Sequence, residues 1–335
     1  MHALVALDPG ARIIVRTSAP RWIFERTAPR QIELRDVEVD PGVVERGDLT
    51  IDEAATVRAA ARFYADFERR ADAEAAWLRT VHADLVFGDI PPLAFAAAAR
   101  AGVGSVAVGN FTWDWIYEGY ASMDTDAPHV LPAVRDGYAC ATRTLRLPLH
   151  GGFAAMAATT TDIPFVARLS TRDRRDTRRR LGVSGDRPAV LVSLDRFDLA
   201  AALDTIARSD RFVTIDSDPA TLDANGLQYK DLVAASDVVI SKPGYGIASE
   251  CLANGAALLY TSRDGFREYG LLATAMPHFL RCRHLPKDDL FAGRWADAID
   301  LLLAQPAPAV QPSVDGAFAV ARSVVQLASK PSTSR

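Results

Sequence analysis

Cysteine, lysine and uninterrupted apolar sequence are all scarce in this chain of 335 residues. The three cysteines, Cys140, Cys251 and Cys282, stand far apart with no C-x-x-C pair. That spacing excludes a disulfide framework and a thiolate metal site, and it fits a reducing compartment. Four lysines (Lys230, Lys242, Lys287, Lys330) leave 34 of the 38 basic residues as arginine, and 42 acidic residues bring the net charge to −4. An overall basic footprint for nucleic acid is therefore missing, and the excess of arginine and alanine reads as the bias of GC-rich coding sequence. The most apolar stretch, 93–108, is broken by Arg100, Gly102 and Gly104, too short and too interrupted to span a bilayer. The first ten residues lack a basic n-region and already hold Asp8 and Pro9, so no signal peptide is expected. A soluble, cytoplasmic protein is the expectation.

What is present is ordinary globular sequence, 49% apolar and 24% charged, long enough for about two domains. The first half alternates strand and helix patterns. Arg12 to Thr17 is a β-branched run closed by Ser18-Ala19-Pro20, and Ile32 to Val39 alternates like a half-exposed strand near a sheet edge. Residues 52–80 carry a helical apolar spacing that predicts one long helix or two. Asp84 to Phe87, Pro92 to Ala101 and Gly104 to Val108 then read as strand, helix and strand, the signature of a parallel sheet. A second unit follows Ile163-Pro164. Its strands are expected at 188–194, 211–215, 238–241 and 256–260, again a doubly wound pattern. The run RDRRDTRRR at 172–180 reads as a short solvated helix closed by Gly182, not a nucleic-acid patch. A terminal amphipathic helix is expected over 313–329, with a frayed tail.

Chemistry concentrates in residues 229–268. A helix and the strand VVIS lead into Lys242-Pro243-Gly244-Tyr245-Gly246, a helix beginning near Ile247, the strand ALLY and a polar loop, TSRDGFRE. Glycines at 244 and 246 let backbone N–H groups approach an anion, the helix N-terminus favours negative charge, and Lys242 adds a cation. Glu250, expected in the first helical turn, can accept hydrogen bonds from a vicinal diol such as a ribose. The plainer alternative is a βα turn made by Pro-Gly with Glu250 complementing the helix dipole. In the first half, Asp89 falls just past one strand, and Asn110, Trp113 and Asp114 fall just past the next. Trp113 and Trp115 can stack on a sugar while Asp89 and Asp114 bind hydroxyls; as core anchors they would do neither. Trp115 with Ile116 reads as core, and Trp113 with Asp114 as cleft. The six histidines read as structural or solvated. Asp216-Ser217-Asp218 reads as a turn, and neither a metal pair nor a Walker loop is found.

The stretch ASDVVISKPGYGIASECLANGAALLYTSRDGFRE resembles the donor-binding half of GT-B glycosyltransferases. Within that fold it is similar to the UDP-N-acetylglucosamine transferase of peptidoglycan lipid synthesis, and more so to the glycosyltransferase-like region ahead of the sugar kinase in arabinokinases. DLVFGDIPPLAFAAAARAGVGSVAVGNFTWDWIY resembles the acceptor side of the same fold. The resemblance implies an α/β fold of two Rossmann-like domains facing across a cleft: an acceptor-side domain over 1–164, a donor domain over 165–312, and a C-terminal helix and tail over 313–335. It implies that Gly244, Tyr245 and Gly246, with Lys242, face a diphosphate and Glu250 a ribose, with Arg263, Asp264, Phe266, Arg267 and Glu268 near the sugar. Asn110 and Trp113 would bind the acceptor. The implied reaction is transfer of a sugar of hexose class from a nucleotide sugar of UDP type to a hydroxyl acceptor by direct displacement, with no cofactor and no required metal. Asp89 and Asp114 are the candidate bases. A non-catalytic sugar or nucleotide-sugar binder and a nucleotide-sugar epimerase or hydrolase are the alternatives. Two departures stand out. Family members open on a strand and a GHG-type histidine loop, whereas Met1-His2-Ala3-Leu4 resembles the middle of the following helix, so the N-terminal domain is expected to lack its first strand. Residues 195–198 lack the glycines usual at the first donor-domain loop.

Overall fold

The computed structural model describes residues 1–194, 199–206, 209–215 and 217–329. Residues 195–198, Asp216 and the expected frayed tail lie outside the described residues. The chain divides into two compact units. Unit 1 comprises Met1–Val44, Ile51–Phe165 and Asp315–Arg335; unit 2 comprises Glu45–Thr50 and Val166–Val314. The chain thus enters unit 2 once for six residues before returning to unit 1.

Unit 1 holds strands β1 (Ile13–Thr17), β2 (Ile32–Asp36), β3 (Leu85–Gly88), β4 (Gly104–Phe111), β5 (Arg143–Gly151) and β6 (Thr160–Asp162). All its pairings are parallel, as short βα connections require. They form two sheets, β1-β2 and β3-β4-β5-β6. Among the described residues β1 pairs only with β2 and β3 only with β4, so each leaves one edge without a strand partner. The chain opens not on a strand but on the helix His2–Leu7.

The long helical stretch is two helices, Glu53–Ala65 and Phe67–Thr80. Asp52 caps the first by accepting the Ala55 N–H at 2.9 Å. The second carries Glu74 and Trp77 to β1, where Arg16 pairs with Glu74 at 2.5 Å and lies 3.8 Å over the Trp77 ring. The C-terminal helix, Gly316–Ala328, belongs to unit 1. Its first residue must be glycine, because a Cβ there would sit 2.2 Å from the Pro164 carbonyl oxygen.

Unit 2 holds β7 (Ala189–Ser193), β8 (Val213–Ile215), β9 (Val238–Ser241), β10 (Ala257–Tyr260) and β11 (Cys282–His284) in one parallel sheet, order β11-β10-β9-β7-β8. Strands β9 and β10 are buried along their whole length, which is why both read as continuous apolar runs rather than alternating ones. The strand order reverses between β7 and β9, the switch point at which open α/β sheets bind ligands. Trp295 is fully buried in the core and donates its indole N–H to the Leu290 carbonyl at 2.8 Å.

The arginine run corrects the solvated-helix expectation in part. Within the helix Arg174–Arg180, Arg174 and Arg178 each reach Asp237 at 2.7 Å, fastening the helix to the start of β9. Among the described residues no helix is long and apolar enough to cross a membrane.

Candidate functional sites on the two units

In unit 2, β9 ends at Ser241 and the chain runs through Lys242-Pro243-Gly244 into the helix Tyr245–Asn254. The helix starts two residues earlier than the sequence pattern predicts, so Gly246 and not only Gly244 lies at its N-terminus, and Glu250 falls in its second turn. The first helical hydrogen bond runs from the Ala248 N–H to the Gly244 carbonyl at 3.1 Å. The preceding N–H groups of the turn therefore have no intrahelical acceptor, as at every helix start. A Cβ on Gly244 or Gly246 would meet nothing within 4 Å. Glycine here leaves the backbone bare, and it does not relieve strain.

The Tyr245 side chain is engaged within unit 2. Its hydroxyl accepts the Val166 N–H at 2.9 Å, and burial pushes the phenol up to about 12, so only the Tyr245 backbone is placed to meet an anion.

Glu250 is 6% exposed. One carboxylate oxygen, Oε1, accepts the Arg168 Nε–H; the other, Oε2, is buried with no hydrogen-bond partner among the described residues. Burial raises the carboxyl above its usual range, and Arg168 opposes that shift. Such an oxygen is costly to leave unmade, and a hydroxyl donor would satisfy it. Asn254, one turn further on, holds the same segment by accepting the Ser170 N–H and donating to the Arg168 carbonyl, both at 2.9 Å.

The loop after β10 is engaged by residues 45–50. Lys242 Nζ lies 3.1 Å from Glu45 Oε2 and 3.4 Å from Asp48 Oδ1. Arg263 pairs with Glu45 Oε1 and lies 4.0 Å over the Phe266 ring. The Asp264 N–H donates to the Leu49 carbonyl at 2.9 Å, and its carboxylate takes Lys287 at 2.6 Å. Phe266 and Glu268 are buried, and Arg267 caps the helix Glu268–Ala275. Thus Lys242 and Arg263 come together around one carboxylate, while Phe266 and Glu268 are buried. An open depression of about 330 Å³ lies beside this segment, lined by Arg46 to Thr50, Lys287 and Phe291. It touches none of Gly244, Gly246 or Glu250.

In unit 1 the turn after β3 presents Asp89. The next residue, Ile90, has φ +56°, a left-handed conformation that is a genuine outlier for a β-branched side chain and costs roughly 1–2 kcal/mol. The strain is held by packing: Ile90 is 4% exposed, and a Cβ on Gly109 would come within 2.5 Å of its side chain. The Tyr138 hydroxyl donates to the Ile90 carbonyl at 2.8 Å and accepts the Trp113 N–H at 3.0 Å. One buried phenol therefore ties the Asp89 turn to the helix Trp113–Tyr117. Asp89 itself stays solvent-accessible while crowded by protein, and that crowding raises its carboxyl above the ordinary range.

Asp40 is the residue the sequence did not single out. It follows β2 in Val39-Asp40-Pro41-Gly42 and sits half-buried beside the Trp113 indole and the Gly42 backbone. The Trp113 indole Nε1–H, unlike its backbone N–H, has no partner within hydrogen-bond distance among the described residues. Burial pushes Asp40 up to about 6, with the charge of Asp89 adding to the rise. The Tyr117 hydroxyl fixes the turn by donating to the Gly42 carbonyl at 2.9 Å, and Trp113 stacks on Tyr117 with centroids 5.6 Å apart. An aspartate and a glycine turn closing a parallel strand is the same signal that marked Asp89, and it was available in the sequence.

Two candidates do not share that cluster's exposure. Asp114 is 5% exposed and faces Arg135 at 3.7 Å. Asn110 lies within β4, 7% exposed, with its amide turned toward the Leu149 carbonyl at 3.4 Å. Both are interior groups: Asn110 belongs to the buried run of β4, and Asp114 is among the buried residues of the helix Trp113–Tyr117. Trp115 packs on the Gly151-Gly152 backbone, where a Cβ would clash with its ring at 2.5 Å, and Ile116 is fully buried. Among the described residues no group of three or more His, Cys, Asp or Glu side chains is arranged to hold a metal.

No family model matches the chain. Among solved structures, the glycosyltransferase VinC in complex with dTDP shares 15% identity, with 97% of this chain and 90% of that chain covered at a TM-score of 0.53. A UDP-glucosyltransferase from Polygonum tinctorium shares 13% identity at 0.56, covering 98% of this chain and 95% of that one. A UDP-glucose: anthocyanidin 3-O-glucosyltransferase in complex with UDP shares 10% identity at 0.54, covering 97% and 89%. This chain has the GT-B glycosyltransferase fold. An L-arabinokinase of Arabidopsis thaliana is 30% identical over 319 residues, 87% of this chain. The GT-B chain spans 29% of the length of that curated relative, whose name describes a kinase.

Proposed function

We propose that this GT-B chain transfers a sugar from a UDP-linked donor, held by unit 2, to a hydroxyl acceptor on unit 1. The observation that carries the reading is Glu250: a buried carboxylate with one oxygen unpartnered, six residues beyond a bare-glycine helix start that follows Lys242. A ribose diol supplies the missing donors, and the first-turn N–H groups with Lys242 suit a diphosphate. The nucleotides named for neighbouring structures, UDP and dTDP, support the choice of donor class.

In the reaction, the acceptor oxygen attacks the anomeric carbon as the bond to the diphosphate oxygen breaks. The acceptor proton passes to a carboxylate of the Asp40–Asp89 pair, and the negative charge growing on the diphosphate is met by the helix start and Lys242. Asp40, accessible and pushed up to about 6, is better matched to proton abstraction near neutral pH than the buried Asp114. Titration calorimetry with UDP, GDP and ADP tests the donor site: selective UDP binding that is weakened in Glu250→Ala is expected. A folded chain that binds none of the three would overturn the reading.

A second reading, a nucleotide-sugar binder without turnover, rests on the same Glu250 carboxylate, which holds a ribose whether or not transfer follows. Product analysis with a UDP-sugar, with and without added acceptor, separates transfer from hydrolysis, epimerisation and binding alone.

A further inference from the structure

Residues 45–50 leave unit 1, form a tight turn on unit 2, and return. The turn is closed by the Arg46 N–H donating to the Thr50 carbonyl at 2.8 Å, with Gly47 at φ +65°. It is fastened to the loop after β10 by the Asp264 N–H on the Leu49 carbonyl and by a parallel bridge between Thr50 and Asp264. Its acidic side chains face cations: Glu45 places both carboxylate oxygens on them, Oε2 on Lys242 and Oε1 on Arg263, and Asp48 adds a second contact to Lys242.

Those two cations leave the C-terminal ends of adjacent parallel strands, since Ser241 of β9 is in register with Tyr260 of β10. They are the cations that an anion arriving at this sheet edge would meet. The side chains of Arg263 and Lys242 are 10% and 29% exposed, and a guanidinium so far from water requires an anionic partner. Glu45 supplies it from within the chain. A diphosphate brought to the same cations finds them already neutralised, and it meets the negative charge of Glu45 and Asp48 at close range.

We propose that the acidic strap Glu45–Thr50 is an internal competitor for the anion site on unit 2, an autoinhibitory contact that a nucleoside diphosphate must displace. The inference rests on the donor-site reading above. With the strap engaged, Lys242 and Arg263 are stabilised without ligand; with it released, the two cations are open to phosphate oxygens. Displacement rather than simple addition makes affinity depend on the charge of Glu45.

Calorimetric titration of the full chain with UDP and, separately, with inorganic pyrophosphate tests it, comparing wild type, Glu45→Gln, Asp48→Asn and Glu250→Ala. Glu45→Gln keeps the shape and removes the charge, and it is expected to tighten both probes by roughly tenfold. Asp48→Asn leaves the Glu45–Arg263 pair in place and is expected to tighten both by roughly threefold, which covers the case in which Glu45→Gln fails to fold. Unchanged or weaker binding of both probes by a folded strap variant overturns the inference. The donor reading fails separately. If the strap variants tighten pyrophosphate while Glu250→Ala leaves UDP untouched, the strap stands and the ribose site falls. If Glu250→Ala weakens UDP alone and the strap variants tighten nothing, the donor site stands and the strap falls.

Discussion

The two units use the same parallel βα chemistry and arrive at sheets of different completeness. In unit 2 the described residues form one five-stranded sheet in which β9 and β10 are buried throughout, and Lys242 and Arg263 follow the C-terminal ends of those two strands. In unit 1 the described residues form six strands in two sheets, and among them β3, which carries Asp89 on its C-terminal turn, lies at an edge with Phe87 48% exposed. A buried strand places the residue after it by packing from both faces. An edge strand needs other restraints, and unit 1 supplies them as a strained Ile90, the Tyr138 hydroxyl and the Tyr117–Gly42 bond. The sites differ in charge as well. That of unit 2 gathers Lys242 and Arg263, and that of unit 1 gathers Asp40 and Asp89. Opposite charges suit opposite tasks: holding an anion, and taking a proton.

The largest expected effect tests the contrast in packing. Trp295→Ala in the core of unit 2 is expected to cost about 3–5 kcal/mol, read as a lowered unfolding midpoint in urea. Phe87→Ala on β3, half exposed, is expected to cost under about 1 kcal/mol in the same measurement. A large effect at Phe87 would show that the edge of β3 is covered.

Next comes Glu250→Ala, which removes a buried acceptor for charged-group hydrogen bonds worth about 1.5–3 kcal/mol. A loss of UDP affinity of roughly ten- to a hundredfold is expected by calorimetry.

The acid pair gives a pH prediction. The folded Asp40 carboxyl lies at about 6, above the unfolded value, so the base form grows as pH rises through about 6, and turnover should rise with it. The native state binds the extra proton, so this group favours folding below about 4, and that contribution is lost as pH climbs through about 6. Carboxyl NMR titration reads it directly. In Asp89→Asn, which removes a like charge, the Asp40 midpoint should move down by roughly half a unit to one unit. An unmoved midpoint would uncouple the two aspartates. The smallest effect is expected at Lys287→Met, which breaks a surface pair with Asp264 worth about 0–1 kcal/mol.

Much of this was legible in the chain. VVIS and ALLY are β-branched or apolar runs without alternation, and both are strands buried along their length. The Pro92 start and Gly102 end of one helix are written in the two residues that favour those places, with Gly102 at φ +73°. The Lys242-Pro243-Gly244 turn and the position of Asp89 after β3 follow from local pattern as well. Asp114 and Asn110 lie deeper than the cleft positions expected of them, and the two share a cause. Each stands within a residue or so of a strand end or helix start, and one step of the chain there decides between surface and interior. Pattern alone does not resolve that step.

The sequence by itself determined the class of fold, the strands β1 to β4 and β7 to β10, the bare-glycine helix start and the acidic turn after β3, because each depends on residues a few positions apart. Tertiary structure decided the rest. It brought Asp40 to Asp89 and Trp113, left one oxygen of Glu250 without a partner, and set Glu45 on Lys242 and Arg263 across some two hundred residues of chain. Charge pairing at that separation leaves no mark on local pattern. It exists only once the strands that carry the two cations lie side by side.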